Sequence, residues 1–157
     1  MGNQEMINKE LIVLDMGIKH QDEFFKKAFE HLFQQGYCNE QYYDALKSRE
    51  EKYPTALPTI PYAIALPHTD PDFVKKPFIY MARLKDEVPW LEMGTNEVAN
   101  VKWVFLLGFE RHCDLHIRLL QRLMNLFEDA TFPKMLLEVN TTEECYDIVY
   151  EKLKSIF

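Results

Sequence analysis

The chain has 157 residues, and its 18 Lys and Arg against 25 Asp and Glu give a formal net charge of −7. This length suits one domain of roughly 100–200 residues, so we expect residues 1–157 to form a single domain. The acidic balance excludes a nucleic-acid binder, which needs a basic face, and argues against an anionic membrane surface as partner. The five glycines stand too far apart for a glycine-rich phosphate loop, which excludes nucleotide enzymes built on such loops.

The N-terminal segment and the cysteines indicate a cytoplasmic protein. The first ten residues contain no long apolar run, and nowhere does one approach the roughly 20 residues that cross a bilayer. Gly2 lacks a myristoylation motif, because Met6 stands where Ser or Thr is required. Cys38, Cys113 and Cys145 form no C-x-x-C pair and are expected to be reduced thiols.

The first half of the chain predicts a strand, two helices and a second strand. Residues 11–14 form a short β-type run. Asp22 can cap a helix with apolar residues at helical spacing, and Gly36 can end it. Asn39 opens a second helix, which is followed by a proline-rich stretch. Residues 62–66 are then a short strand candidate that runs directly into a Pro-His pair.

The second half predicts two further strands and three helices. Residues 77–84 and 101–109 form apolar strands, the second of them fully buried. Asp114 can cap the next helix, and Pro133 can occupy the first turn of a short one that ends near residue 138. Thr141, with a glutamate three residues later, forms a capping box for the last helix. The alternation indicates an α/β fold, a central mixed β-sheet flanked by helices on both faces.

His68 is the histidine whose position most favours a function. It follows a predicted strand end, where ligands gather in open α/β folds, and Pro67 restricts the backbone before it. A neutral imidazole there is suited to nucleophilic or acid–base chemistry. The structural alternative is a loop histidine hydrogen-bonded to Asp70. His20 and His31 lie at or in the first helix, where ordinary boundary or surface positions explain them.

His116 and Arg49 are candidates for anion binding. His116 lies in the first turn of the helix predicted to begin at Asp114, where free N–H groups and the helix dipole favour an anion such as phosphate. The same dipole favours a neutral imidazole, although a solvent-facing residue is the alternative. Arg49 ends a helix, and its guanidinium could hold a phosphoryl oxygen, orient a histidine or simply complement the helix C-terminus.

A metal site is a second possibility. His112, Cys113 and His116 stand close together, and His68 or Asp70 could complete a tetrahedral set of zinc ligands. The spacing matches no standard zinc motif, and Asp114 serves better as a helix cap. A zinc-dependent enzyme or metal-binding module therefore stays as an alternative hypothesis.

Two motifs at fixed spacing resemble a known family. Arg49-Glu50-x-x-x-x-Thr55 followed by Ile64-Ala65-Leu66-Pro67-His68 resembles the R-E-x-x-x-x-T…I-A-[IL]-P-H signature of fructose/mannitol-type EIIA domains of the bacterial sugar phosphotransferase system. His116 begins a segment similar to the family's H-L-x-x-L-x-x-L helix, and the match covers nearly the whole chain. Tyr53-Pro54-Thr55 and residues 88–93 look more like the galactitol-type branch.

The resemblance implies that His68 is transiently phosphorylated. It would receive a phosphoryl group from the phosphohistidine carrier HPr and pass it to a cysteine of the EIIB component during sugar uptake. Arg49, His116 and the helix N-terminus behind Asp114, together with Thr55, would stabilise the charge on the transferring group. No nucleotide, metal or other cofactor is required. A regulatory relative, whose phosphorylation state alters another protein, is the alternative within the family.

Two successive protein partners imply an exposed, partly apolar docking surface of modest affinity around the histidine. Tyr62, Pro71 and Phe73 are the predicted members of its rim. Because the chain carries a charge of −7, we also expect a basic face on the phosphoryl donor, with steering that weakens as salt rises.

Overall fold

The computed structural model describes residues 6–157, so Gly2 and the rest of residues 1–5 lie outside the described part of the chain. No helix within residues 6–157 combines the length and apolar character needed to cross a membrane. The elements follow one another as β1 (Ile7–Met16), α1 (Gln21–Gln34), α2 (Tyr42–Lys52), β2 (Ala56–Leu57), β3 (Ala63–Ala65), β4 (Phe78–Leu91), β5 (Val98–Gly108), α3 (Asp114–Leu126), α4 (Thr131–Glu138) and α5 (Thr142–Leu153).

The five strands form one mixed sheet in the order β1-β4-β5-β3-β2. β1 pairs with β4 in parallel and β3 pairs with β5 in parallel, whereas the β4–β5 and β2–β3 pairs are antiparallel. Because β3 and β5 run in the same direction, their carboxyl ends meet at one edge of the sheet. This edge carries the Pro-His pair after β3 and the loop that leads from β5 into α3.

The sheet is covered on both faces, which confirms the predicted α/β class. Along β5, Val104 and Leu106 join a core with residues of α1 and α2, whereas Phe105 and Leu107 join a second core with residues of α3, α4 and α5. Alternate side chains of a strand point to opposite faces, so one apolar strand fills both cores. This explains why residues 103–107 are hydrophobic without interruption.

The predicted strands are confirmed, with different bounds. β4 and β5 extend well beyond residues 84 and 101 into a long hairpin that continues to Leu91 and resumes at Val98. The apolar pattern alone predicts β4 only as far as residue 84, because the exposed polar residues 85–87 interrupt it. β2 was also missed, since two residues carry no recognisable period.

The predicted cap of α1 is wrong. His20 is the N-cap residue, and the Glu23 side chain accepts a hydrogen bond from the His20 N–H at 3.0 Å. Asp22 lies inside the first turn, where it accepts a hydrogen bond from the Tyr43 hydroxyl and pairs with Lys47 at 3.2 Å. Its carboxylate therefore ties α1 to α2 rather than capping its own helix.

The other predicted helix boundaries agree better with the structure. Gly36 has a φ of +80° just beyond α1 and ends that helix. Asn39 accepts a hydrogen bond from the N–H of Gln41 at 3.1 Å. However, α2 does not begin until Tyr42, three residues later than Asn39. Pro133 lies in the first turn of α4. Thr141 accepts a hydrogen bond from the Glu144 N–H at 3.1 Å, which confirms the predicted cap of α5.

Gly108 at the end of β5 permits a close approach of Phe78, its partner across the antiparallel pair. A Cβ added at Gly108 would lie 2.1 Å from Cε2 of the buried Phe78 ring. We expect Gly108→Ala to lower the free energy of unfolding by about 1–3 kcal/mol, because the ring must shift within a packed core. Urea denaturation measures this change. The matched control is Gly17→Ala, where the added Cβ meets nothing within 4 Å; equal stability of the two variants would contradict the prediction.

Candidate active site

His68 lies two residues beyond Leu66 on a loop that is bonded on both sides. The Pro67 carbonyl accepts a hydrogen bond from the Leu107 N–H at 3.0 Å, which continues the pairing of β3 with β5. On the other side, the Leu66 N–H donates to the Thr55 carbonyl at 3.2 Å. The backbone that carries the histidine is therefore an extension of the sheet and not a free loop.

The ring of His68 is oriented by its own backbone. Its Nδ1 lies 2.9 Å from the Leu66 carbonyl oxygen. Because a carbonyl oxygen only accepts hydrogen bonds, Nδ1 carries the proton of the neutral ring, and Nε2 keeps its lone pair. The predicted structural alternative, a hydrogen bond to Asp70, is wrong, since Asp70 pairs with Arg49 instead.

Burial keeps the His68 imidazole neutral. The pKa of His68 is lowered from 6.5, chiefly because the ring is desolvated, and the nearby Arg49 cation lowers it further. The hydrogen bond to Leu66 and the charge of Asp70 oppose this shift. A neutral imidazole with a free Nε2 is the form that can attack an electrophile at neutral pH.

His116 stands beside His68 at the start of α3. The two rings meet edge to face, with centroids 5.7 Å apart. The His116 ring also stacks on Phe109, with centroids 4.1 Å apart. The pKa of His116 is lowered by burial first and then by repulsion from His68, His112 and Arg49. The structure thus brings two neutral imidazoles to the same edge of the sheet.

The predicted role of Asp114 as the cap of α3 is wrong. Cys113 has the extended backbone of an N-cap residue, with φ −161° and ψ 168°, and no side chain of the described residues 6–157 caps the helix. Asp114 is the first helical residue, and it is exposed. An acidic residue in a first turn suits the helix dipole, but a carboxylate would repel a phosphoryl group that it faced. Support for an anion would therefore come from the uncapped helix N-terminus, next to which His116 lies.

Arg49 extends from the last turn of α2 towards the His68 loop. Its Nη1 lies 3.4 Å from Oδ1 of Asp70, and its guanidinium lies 5.3 Å from the Tyr53 ring centroid. Within residues 6–157 its buried Nε has no hydrogen-bond partner. Among the described residues, the guanidinium therefore has an N–H group without a partner, close to two neutral imidazoles.

Thr55 lies behind the site. It is buried, and its hydroxyl donates to Oε1 of Glu50 at 2.8 Å, while its N–H donates to Oε2 at 2.8 Å. The indole N–H of Trp90 donates to the same Oε2 at 3.0 Å. The hydroxyl proton of Thr55 is thus committed to Glu50, and its carbonyl supports the loop that carries His68.

The chain matches a known protein family over nearly its whole length. The sequence model of the family "Phosphoenolpyruvate-dependent sugar phosphotransferase system, EIIA 2" matches residues 5–152. The chain belongs to this family. Its members are components of the phosphotransferase system, so the predicted EIIA family is confirmed at this level.

Solved structures of the same fold cover almost the entire EIIA chain. The nitrogen regulatory protein IIA-Ntr from Neisseria meningitidis is 22% identical, with 94% of this chain and 98% of that chain covered and a TM-score of 0.78. Enzyme IIA-Mtl from Escherichia coli, in a complex with phosphorylated enzyme IIB-Mtl, is 23% identical, with coverages of 94% and 96% and a TM-score of 0.70. At these identities the likeness shows the fold alone.

The zinc hypothesis lacks a ligand cluster in the described part of the chain. No group of three or more His, Cys, Asp or Glu side chains in residues 6–157 could hold a metal ion. His112 and Cys113 are exposed, whereas the His116 ring turns towards Phe109 and His68. Proximity in sequence therefore does not bring these ligands together in the EIIA fold.

Two of the three residues predicted for the docking rim are buried. Tyr62 is 5% exposed and its hydroxyl donates to the Pro133 carbonyl, and Pro71 is also buried. Phe73 is partly exposed. The exposed apolar side chains next to the site belong to other residues, namely Ile117 beside His116 and Tyr53 beside Arg49, which are 59% and 58% exposed.

Phe109 and Glu50 were missed as members of the site. Phe109 ends the apolar run of β5, so its sequence position indicates a core residue and gives no sign of the stacking on His116. Glu50 is part of the R-E motif, but its burial depends partly on Trp90, a partner 40 residues further along the chain. A charged residue next to Arg49 is otherwise typical of a solvated helix end.

The lowered pKa of His68 predicts how this EIIA chain responds to acid. We expect the NMR titration of the His68 ring to have its midpoint below 6.5, because burial disfavours the imidazolium. The unfolded chain then binds more protons, so the contribution of His68 to stability is present above pH 6.5 and is lost as the pH falls below it. A midpoint at or above 6.5 would contradict this expectation.

Proposed function

We propose that this chain is the phosphocarrier EIIA component of a sugar phosphotransferase system, and that Nε2 of His68 is the atom that carries the phosphoryl group. The observation that carries the proposal is the contact of Nδ1 with the Leu66 carbonyl, which holds the ring proton on Nδ1 and leaves the lone pair on Nε2. The lowered pKa of His68 supports it, since the neutral ring is the nucleophile. The family membership supports the class of reaction.

The transfer proceeds by two in-line displacements. The lone pair of His68 Nε2 attacks the phosphorus of phospho-HPr; the new N–P bond forms as the bond to the donor histidine breaks, and the electron pair returns to the donor nitrogen. The proton on Nδ1 stays in its hydrogen bond to Leu66. In the second displacement a cysteine thiolate of EIIB attacks the same phosphorus, an S–P bond forms, and His68 leaves with its lone pair restored.

Three groups would stabilise the charge on the equatorial oxygens during transfer. Arg49 supplies a cation with an unused Nε–H, His116 supplies a neutral imidazole N–H, and α3 supplies its uncapped N-terminus. Electrostatic stabilisation of this kind is the main contribution that a protein makes to phosphoryl transfer. Thr55 supports the site from behind through its backbone, and the carboxylate of Asp114 takes no direct part.

The test is phosphorylation of the purified chain by HPr, enzyme I and labelled phosphoenolpyruvate. We expect one acid-labile, base-stable phosphoryl group per chain, as a phosphoramidate requires, and its onward transfer to an EIIB protein. An unlabelled chain would overturn the proposal. The relative from Escherichia coli in complex with phosphorylated enzyme IIB supports EIIB as the acceptor.

Within the family, the galactitol-type branch is proposed for this chain, from the resemblance of Tyr53-Pro54-Thr55 and residues 88–93 to that branch. Transfer from the labelled chain to galactitol-type, mannitol-type and fructose-type EIIB proteins would test this. The galactitol-type acceptor should react fastest; faster transfer to another type would assign the chain to that branch.

A regulatory role is the second candidate function. It is favoured by the similarity in fold to the nitrogen regulatory protein IIA-Ntr from Neisseria meningitidis. In that case HPr or a related carrier would still phosphorylate His68, but no EIIB protein would accept the group. Retention of the label in the presence of all three EIIB types would favour this function over sugar uptake.

A further inference from the structure

Glu50 occupies a position that is costly for a carboxylate. It is 4% exposed, and it lies in the last turn of α2, where the helix dipole disfavours negative charge. Burial raises the pKa of its carboxyl group, against the opposing effect of its hydrogen bonds. A buried charge persists only where several donors compensate for the lost water. The donors to Glu50 therefore identify the parts of the fold that its carboxylate connects.

Three hydrogen bonds join Glu50 to two other parts of the fold. Oε2 accepts from the Thr55 N–H at 2.8 Å and from the Trp90 indole N–H at 3.0 Å, and Oε1 accepts from the Thr55 hydroxyl at 2.8 Å. Thr55 immediately precedes β2, whereas Trp90 belongs to the far end of β4. One carboxylate thus fastens the end of α2 to two strands of the sheet.

The positions of both Arg49 and His68 depend on these hydrogen bonds of Glu50. Arg49 is the neighbour of Glu50 on α2, so its guanidinium is placed wherever that end of the helix is held. The Thr55 carbonyl accepts from the Leu66 N–H, and the Leu66 carbonyl fixes Nδ1 of His68. The path from Glu50 to His68 therefore runs through three consecutive hydrogen bonds.

We propose that Glu50 is a positioning residue, whose hydrogen bonds to Thr55 and Trp90 fix the Arg49 guanidinium and the His68 imidazole relative to one another. The inference rests on the proposed phosphoryl transfer at His68. The role is geometric, because Glu50 touches neither the histidine nor the transferred group. A misplacement of about 1 Å can cost on the order of 10²-fold in rate, so the effect falls on the transfer step.

Two substitutions at Glu50 separate geometry from charge. In Glu50→Gln the amide oxygen can accept both N–H groups at the Oε2 position, and the amide N–H₂ can donate to the Thr55 hydroxyl, which rotates to accept. We expect this variant to transfer phosphoryl within about 3-fold of wild type. Glu50→Leu leaves both N–H groups unpaired, and its maximal rate should fall by about 10-fold to 100-fold, while the KM for phospho-HPr stays within about 2-fold.

A second pair of variants keeps the test valid where Glu50→Leu fails to fold. Trp90→Phe removes the indole N–H that Glu50 accepts, whereas Trp103→Phe removes a buried indole N–H that has no partner within residues 6–157. Both replace a buried Trp by Phe, so both lose stability. Only Trp90→Phe should slow the transfer, by a few-fold. Equal transfer rates in the two variants would overturn the proposal.

The ring nitrogens of His68 provide a readout that needs no phosphoryl donor. In the wild type the ¹⁵N spectrum should show a protonated Nδ1 and an unprotonated Nε2. Glu50→Gln should preserve that pattern, and Trp90→Phe should shift it towards the mixture of tautomers found in a free histidine. Unchanged nitrogen shifts in Trp90→Phe would refute the positioning role. Failure of the wild type to accept phosphate, with shifted nitrogens in Trp90→Phe, would overturn the proposed function alone.

Discussion

His68→Gln is expected to abolish phosphorylation of the chain by phospho-HPr. The amide nitrogen of glutamine has a delocalised lone pair and does not attack phosphorus, although the side chain is close to imidazole in size. The substitution leaves the Pro67–Leu107 and Leu66–Thr55 backbone bonds in place, so the fold should be retained. Incorporation of label from phosphoenolpyruvate, with circular dichroism as the check of folding, measures the loss.

His20→Gln is the matched control for this experiment. His20 is an exposed N-cap residue remote in sequence from the site, and its backbone N–H donates to the Glu23 side chain. The His20→Gln variant should accept a phosphoryl group at the wild-type rate. If His68→Gln were labelled as strongly as His20→Gln, another histidine would have to carry the phosphoryl group, and His116 would be the first candidate.

Arg49→Ala should slow transfer by about 10²–10³-fold, the loss typical of removing one group that stabilises the charge of a transition state. The fold should change little, because the ion pair with Asp70 and the contact with Tyr53 involve largely exposed partners. Arg49→Lys should recover only part of the rate, since an ammonium group lacks the planar fork of donors. Single-turnover transfer from phospho-HPr measures both effects.

Lys52→Ala provides the control for the change in charge. Lys52 lies on the same α2 turn and lines the same concavity of about 260 Å³ as Arg49, but it is exposed. Its loss should reduce the rate only a few-fold, through weaker attraction of the phosphoryl group. If Arg49→Ala and Lys52→Ala slow transfer equally, Arg49 acts only through net charge and not as a group of the site.

Local contacts were the most predictable part of this fold. The cap of α5 was found because Thr141 and Glu144 stand three residues apart. At α1 the same logic chose Asp22, since sequence alone does not show that Tyr43 and Lys47 engage its carboxylate. Contacts of this longer range leave His20 and not Asp22 at the N-cap position, and the local sequence pattern does not record them.

The site was predictable to the extent that it follows from motifs. The resemblance grouped His68, Arg49 and His116, and the structure brings all three to one edge of the sheet, whereas position alone left each with an ordinary alternative. Tyr62 was misplaced because a tyrosine between prolines is equally compatible with a surface. Its burial depends on the Pro133 carbonyl, a partner 71 positions further along the chain.

The parallel pairing of β3 with β5 has a consequence for the time course of folding. The β4–β5 hairpin is local and can form early. The pairing of β3 with β5, in contrast, must close a loop that contains the whole of β4. Contacts between residues distant in sequence form slowly, since their loop-closure entropy is lost first. We therefore expect the β4–β5 contacts to form before the β3–β5 pairing, whose continuation through Pro67 and Leu107 places the backbone of His68.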